Sequence, residues 1–188
     1  AADISQADSV AAAFADAAGK AGPIDLLINN AGQARSAPFG KTDLALWQSM
    51  LEVNLTGTFL CTQAALPHML ANGWGRIINV ASTAGLVGYG YVSAYCAAKH
   101  GVIGLTRSLA VELGRRGVTF NCICPGPIST AMTSPIPDEA KEKFARRRVP
   151  LRRYGDPEEV AHATLSLVLP ASSYINGVVL PVDGGMTM

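Results

Sequence analysis

The sequence predicts an α/β fold in which a doubly wound parallel sheet carries helices on both faces. Three observations predict it. Short apolar runs read as fully buried strands, longer segments with helical periodicity separate them, and turn residues punctuate the joins. At 188 residues, with 49% apolar and 15% charged, the chain has material for one sizeable core.

Each element follows in order. Ser5 opens an Ala-rich helix over residues 5–18, and Gly22-Pro23 breaks it before the apolar strand Leu26-Leu27-Ile28. Thr42 or Asp43 caps a helical stretch that runs with interruptions past Thr56 to Leu70 and stops at Asn72-Gly73. Ile77-Ile78-Asn79-Val80 is the second strand. Residues 93–115 form a helix that ends on basic residues and Gly117, as the helix dipole favours. Residues 118–124 form the third strand, halted by Pro125-Gly126-Pro127. Pro157 starts the next helix at its favoured first position, with Glu158-Glu159 behind it, and residues 177–182 form the last strand. No repeat or second-domain linker interrupts this order, so residues 1–188 read as a single domain. The polar, Pro-rich stretch 129–156 holds one short charged helix, is too long for an ordinary connection, and reads as a functional lid.

Composition excludes several roles. A net charge of +1 provides no global field for nucleic acid or an anionic membrane. No apolar run reaches the roughly 20 residues of a membrane helix, and Ala1-Ala2-Asp3 has no signal-peptide pattern, so a soluble, cytoplasmic protein is expected. Cys61, Cys96, Cys122 and Cys124 are scattered through apolar segments and read as reduced, buried thiols. Cys122 and Cys124 share a strand face but lack His or carboxylate partners, so no metal site is expected.

The chemistry-bearing residues follow the strands. Tyr95 and Lys99 are four apart on a helix and share one face, where an ammonium acts on a phenol. A nearby cation favours the phenolate, which suits a tyrosine to acid–base work. Ser82 falls just past the second strand, where open parallel sheets place their ligand crevice, and its hydroxyl can hold a carbonyl oxygen beside the phenol. Asn29-Asn30-Ala31-Gly32 follows the first strand with small residues that admit close approach. Asn54 sits in an apolar helical stretch, where its amide is costly unless bonded; a helix distortion holding water is one functional explanation. Pro125-Gly126-Pro127-Ile128 with Thr130 follows the third strand. Taken singly, each has a plain structural alternative: a surface pair, a turn serine, a strand-ending turn, a loop.

Their combination and order, from Asp3 through NNAG at 29–32, Asn54, Ser82, YxxxK at 95–99 and PGxxxT at 125–130 to VDGG at 182–185, resembles the short-chain dehydrogenase/reductase family along almost the whole chain. Within it the chain is similar to 3-oxoacyl-[acyl-carrier-protein] reductases and 3-hydroxyacyl-CoA dehydrogenases of fatty acid metabolism. The resemblance implies a Rossmann-like fold and hydride transfer between NAD or NADP and a carbonyl or secondary alcohol. Tyr95 is then the proton donor or acceptor, Lys99 lowers its pKa and binds the nicotinamide ribose, Ser82 orients the substrate oxygen, and Asn54 holds the water of a proton relay. Asp3 and Ile4 would lie near the adenine. Asn30, Ala31 and Gly32 would line the cofactor, with Pro125, Gly126, Ile128 and Thr130 on the nicotinamide side. A small-molecule substrate, of a kind that CoA or an acyl carrier can bear, and, for the full-length protein, a homotetramer packed through the helices around 43–70 and 93–115 are implied as well.

The sequence departs from the family at its start. The Gly-rich TGxxxGxG turn that seats the pyrophosphate is absent, and Gly85-Leu86-Val87-Gly88-Tyr89-Gly90 follows the wrong strand. An N-terminally truncated, incomplete sheet lacking the first βαβ portion is therefore expected, with the strand near Leu26 left as an apolar edge. The alternatives are a reductase or dehydrogenase of another small ketone or alcohol, or a non-catalytic fragment; a hydrolase has no GxSxG elbow. The lid helix region carries Lys141, Lys143, Arg146, Arg147, Arg148, Arg152 and Arg153 against Asp138, Glu139 and Glu142, a net +4. Residues 146–148 are expected either to form a solvated face or to meet the phosphates of coenzyme A or an acidic carrier protein.

Overall fold

The computed structural model describes residues 1–188. Four strands, β1 (Leu26–Asn29), β2 (Gly75–Val80), β3 (Val118–Pro125) and β4 (Val179–Val182), form one parallel sheet whose spatial order is the chain order. Six helices accompany it: α1 (Ala7–Ala21), α2 (Leu44–Leu51), α3 (Gly57–Asn72), α4 (Ser93–Leu113), α5 (Asp138–Arg148) and α6 (Pro157–Val168). No helix is long and apolar enough to cross a membrane.

Alternation along the strands sorts the core into two layers. Ile77, Val118 and Phe120 point to one face, where Ala65 and Met69 of α3 and Ala110 of α4 meet them. Their neighbours Ile78 and Ile123 point to the other, against Leu167 of α6. The connections β1–β2 and β2–β3 thus pass over one face and β3–β4 over the other, while the sheet advances in one direction throughout. The last connection therefore has the opposite hand from the first two, so this sheet contains an exception to the right-handed rule that parallel crossovers follow in about 98% of cases. The architecture is the expected Rossmann-like α/β layering. Leu26 and Ile28 on the outer strand stay 45% and 40% exposed, the apolar edge that the sequence anticipates.

Buried amides join the layers. Asn29 donates to Thr62 Oγ1 of α3 (3.1 Å) and to Asn79 Oδ1 of β2 (2.8 Å), and Asn79 donates to Thr106 Oγ1 of α4 (2.8 Å). Each amide inside the apolar layer thus has a partner, which its burial demands.

Several boundaries differ from expectation for local reasons. The first helix starts at Ala7 rather than Ser5, because the Asp3 carboxylate accepts from the Ser5 N–H (3.0 Å) and hydroxyl (2.7 Å) and holds residues 3–6 in a turn. It continues past Ala18 to Ala21 because nothing stops it before Gly22. The last strand begins at Val179 rather than Gly177. Gly177 donates to Phe120 O and Val178 to the Asn121 side chain before the regular ladder starts. The interruption expected in the long second helix is a π-helical turn over Glu52–Thr56, between α2 and α3.

Candidate active site

The C-terminal ends of β1, β2 and β3 open into a cleft of about 330 Å³. Asn30 stands just past β1, Ser82 two residues past β2, and Pro125 at the end of β3, so sheet geometry alone brings three distant segments together. The cleft is lined on one side by Asn30, Gly32, Asn54, Ser82, Tyr95 and Lys99, and on the other by Pro125, Gly126, Ile128 and Thr130.

Tyr95 and Lys99 occupy the first two turns of α4. The ammonium of Lys99 lies 5.7 Å from the centre of the Tyr95 ring, over its face. Lys99 is only 4% exposed, and its Nζ donates to Val80 O at 2.8 Å. Burial lowers its pKa to about 8, the fields of the nearby Cys122 and Cys124 opposing in part. Burial also raises the Tyr95 phenol above its usual value, and a hydrogen bond with Ser82 works in the opposite direction. Desolvation is the dominant influence on the phenol in the cleft itself.

Ser82 is set by a short 3₁₀ turn, Thr83–Gly85, whose first free N–H, that of Ala84, it accepts at 3.1 Å. That turn lies hard against α4. A Cβ added at Gly85 would stand 2.8 Å from Lys99 O, so only glycine lets Ser82 reach the level of Tyr95 and Lys99.

Asn54 is fully buried in the π-turn. Its amide donates to Gln33 O (2.9 Å) and Met50 O (3.0 Å) while its Oδ1 accepts from Gln33 N (3.2 Å). The side chain therefore clamps the loop after β1 with one amide hydrogen and its oxygen, while its other amide hydrogen ties it to α2, and Thr58 Oγ1 donates to its main-chain carbonyl at 3.0 Å. A π-turn widens the helix by one residue and turns such a side chain toward a site. Gly32 faces this clamp: a Cβ there would come within 2.8 Å of Asn54 Oδ1 and 3.6 Å of Lys99 Nζ.

The remaining expected residues lie elsewhere. Ala31 does not line the cleft, although both its chain neighbours do. Asp3 is exposed and tied to Ser5 and Ser9, and Ile4 seats against Gly57 at the start of α3. Gln33 was missed by sequence reasoning. It lines the cleft, is bonded twice to Asn54, and donates to Ser49 O and Oγ; its position directly after NNAG was the available signal. A second, larger cavity of about 1070 Å³ opens from Ser82 and Tyr95 toward α5 and the 129–156 segment, and Tyr89, Phe144, Tyr154 and Met186 on its wall were also not foreseen.

The chain resembles several known proteins. A family model described as Enoyl-(Acyl carrier protein) reductase matches residues 1–187. The 3-oxoacyl-[acyl-carrier-protein] reductase FabG of Aquifex aeolicus is 44% identical over 179 residues, 95% of this chain and 72% of that protein. The (2S)-[(R)-hydroxy(phenyl)methyl]succinyl-CoA dehydrogenase subunit BbsD of Thauera aromatica is 46% identical, covering 89% of this chain and 66% of that one. Among solved structures, a gluconate 5-dehydrogenase from Burkholderia cenocepacia in complex with NADP and tartrate superposes with a TM-score of 0.93 at 34% identity, over 98% of this chain and 73% of that chain. This chain thus spans about two thirds to three quarters of the length of these relatives. On the fold, the order of its motifs and these matches together, the chain belongs to the short-chain dehydrogenase/reductase family and is an oxidoreductase of that family.

Proposed function

We propose that the protein transfers hydride between NAD or NADP and a carbonyl or secondary alcohol, its substrate being a 3-oxoacyl or 3-hydroxyacyl thioester. The observation that carries this reading is the convergence of Ser82, Tyr95 and Lys99 on one wall of the cleft at the strand ends. The donor set suits the nicotinamide–ribose end of such a cofactor. Gly32 keeps an approach open beside Lys99, and the ammonium of Lys99 has two donors left after Val80 O. Asn30, Gly126, Ile128 and Thr130 complete the surface on which it would lie.

Nicotinamide, when bound, supplies or accepts the hydride. The chain's own residues handle the proton and the geometry. Tyr95, held protonated by burial, gives its phenolic proton to the carbonyl oxygen, or receives it in the reverse direction. Ser82 Oγ orients that oxygen beside the phenol. Lys99 binds the ribose and stabilises the phenolate as it forms. Asn54 fixes the loop after β1 and holds the relay water. Residues 129–156 act as the lid over the substrate, and the full protein assembles as a homotetramer through α2, α3 and α4. Thioester substrates are favoured by similarity to the acyl-carrier-protein and CoA enzymes named above.

The test is Tyr95→Phe, assayed by nicotinamide absorbance with a 3-oxoacyl thioester. Turnover falls at least about 10²-fold, the scale of a positioned acid–base group, while the melting temperature is nearly unchanged. A variant retaining more than a tenth of the rate overturns the assignment.

A further inference from the structure

The cavity beside the catalytic cleft has a one-sided charge. α5 faces it with Ala140, Lys143, Phe144, Arg147 and Arg148, positions three, four and seven to eight apart that share one side of a helix. The cations of α5 divide into two sets. Lys141 pairs with Asp138 (3.2 Å) and Arg146 with Glu142 (2.5 Å), and neither lines the cavity. Lys143, Arg147 and Arg148 line it, and none of the five ion pairs in the molecule includes them. No aspartate or glutamate stands anywhere on the cavity wall. Complementing the helix dipole accounts for basic residues in the last turn. It does not account for Lys143, or for the sorting of neutralised cations to the outside and unneutralised ones to the inside.

The same cavity contains Ser82 and Tyr95 and is otherwise walled by Tyr89, Tyr154, Ile136 and Met186. An anion at the three cations would thus share one cavity with a carbonyl at Tyr95. We propose that this cavity selects substrates bearing an oxyanion, a carboxylate or a phosphate, with an apolar portion between that group and the reacting carbonyl, and that Lys143, Arg147 and Arg148 are its counter-charges. The proposal rests on the reading of Ser82 and Tyr95 as the reacting pair. It moves the basic contacts foreseen at 146–148: Arg146 is outside and neutralised, and Lys143 takes its place.

The experiment compares the wild type with a Lys143→Gln/Arg147→Gln variant on four probes: 7-oxooctanoate, its methyl ester, 3-oxobutanoyl-CoA, and the uncharged N-acetylcysteamine thioester of 3-oxobutanoic acid. The expected result is that the ratio of kcat/KM for a charged probe over its neutral counterpart falls about tenfold or more in the variant, the scale of a lost charge-assisted contact. A fall in the acid-to-ester ratio assigns the cations to a carboxylate. A fall in the CoA-to-N-acetylcysteamine ratio assigns them to phosphate. Unchanged ratios for both pairs overturn the proposal. If the wild type reduces none of the four, the reading of the reacting pair fails separately, and calorimetric titration of 7-oxooctanoate and of CoA decides the cavity: weaker binding by the variant for either upholds the proposal, and equal binding for both overturns it.

Discussion

Lys99 carries a charge in a place that opposes it. Its pKa of about 8, against 10.5 for the free side chain, means that the folded state binds a proton less tightly than the unfolded chain does. The penalty is fully present below pH 8 and is relieved as pH rises from about 8 toward 10.5. Between pH 7 and 9.5 this relief is worth about 2 kcal/mol of added stability. Burial of the phenol and of Cys61 acts in the opposite sense, because both pKa values are raised on folding, so stability is lost as pH climbs past the free values. The difference between wild type and Lys99→Met isolates the lysine. Urea unfolding at the two pH values should show the wild type gaining on the variant by about that amount; a constant gap would place the ammonium in water. The Tyr95–Lys99 spacing was legible in the sequence because a helix makes four residues one turn. Desolvation was not, since it comes from burial against other elements, among them β2, where the ammonium meets Val80 O.

At the scale of elements, the short turn after β2 and the start of α4 act as one piece. Gly85 allows contact with the Lys99 carbonyl, and Ser82 follows from that contact. Gly85→Ala inserts a methyl group where backbone stands 2.8 Å away, so the turn must withdraw from α4. Such overpacking costs about 1–3 kcal/mol. Asp43→Ala removes the N-cap bond to Leu46 N (2.8 Å) at about 1 kcal/mol and touches nothing in the cleft. Gly85→Ala should therefore depress kcat well beyond Asp43→Ala at similar stability loss, measured by denaturant unfolding and initial rates; equal kcat values would mean that the turn does not set Ser82. Strands and most helices were readable from apolar runs and breakers. The π-turn was readable only as an interruption, because nothing in Glu-Val-Asn-Leu-Thr distinguishes five-residue from four-residue winding until Asn54 is seen reaching for Gln33. Gln33 itself was hidden for the same reason: its partner lies 21 positions away.

The whole molecule leaves apolar side chains on the outer surface of its helical layer. Leu44 of α2, Phe59 of α3 and Val111 of α4 are 68%, 44% and 86% exposed. Apolar surface of this kind is what an oligomer buries. Light scattering on the protein as it elutes from a sizing column should give four times the chain mass, with Phe59→Lys and Val111→Glu shifting it to smaller species; a wild-type monomer would contradict the tetramer. The sheet order also belongs to this scale. Strand positions could be read one by one, yet the placement of α6 on the far face depends on Leu167 finding Ile78 and Ile123, contacts that no local pattern announces. Because spatial order equals chain order, every new strand docks on the one made just before it. During synthesis at roughly 5–20 residues per second, β1 and β2 can close while β3 is still being made, so these four strands can join one by one as the chain emerges. The final strand alone must wait for a long segment to cross to the opposite side. The half-built sheet therefore holds one bare face until α6 arrives, and that interval is when a nascent chain of this design most needs shielding from its neighbours.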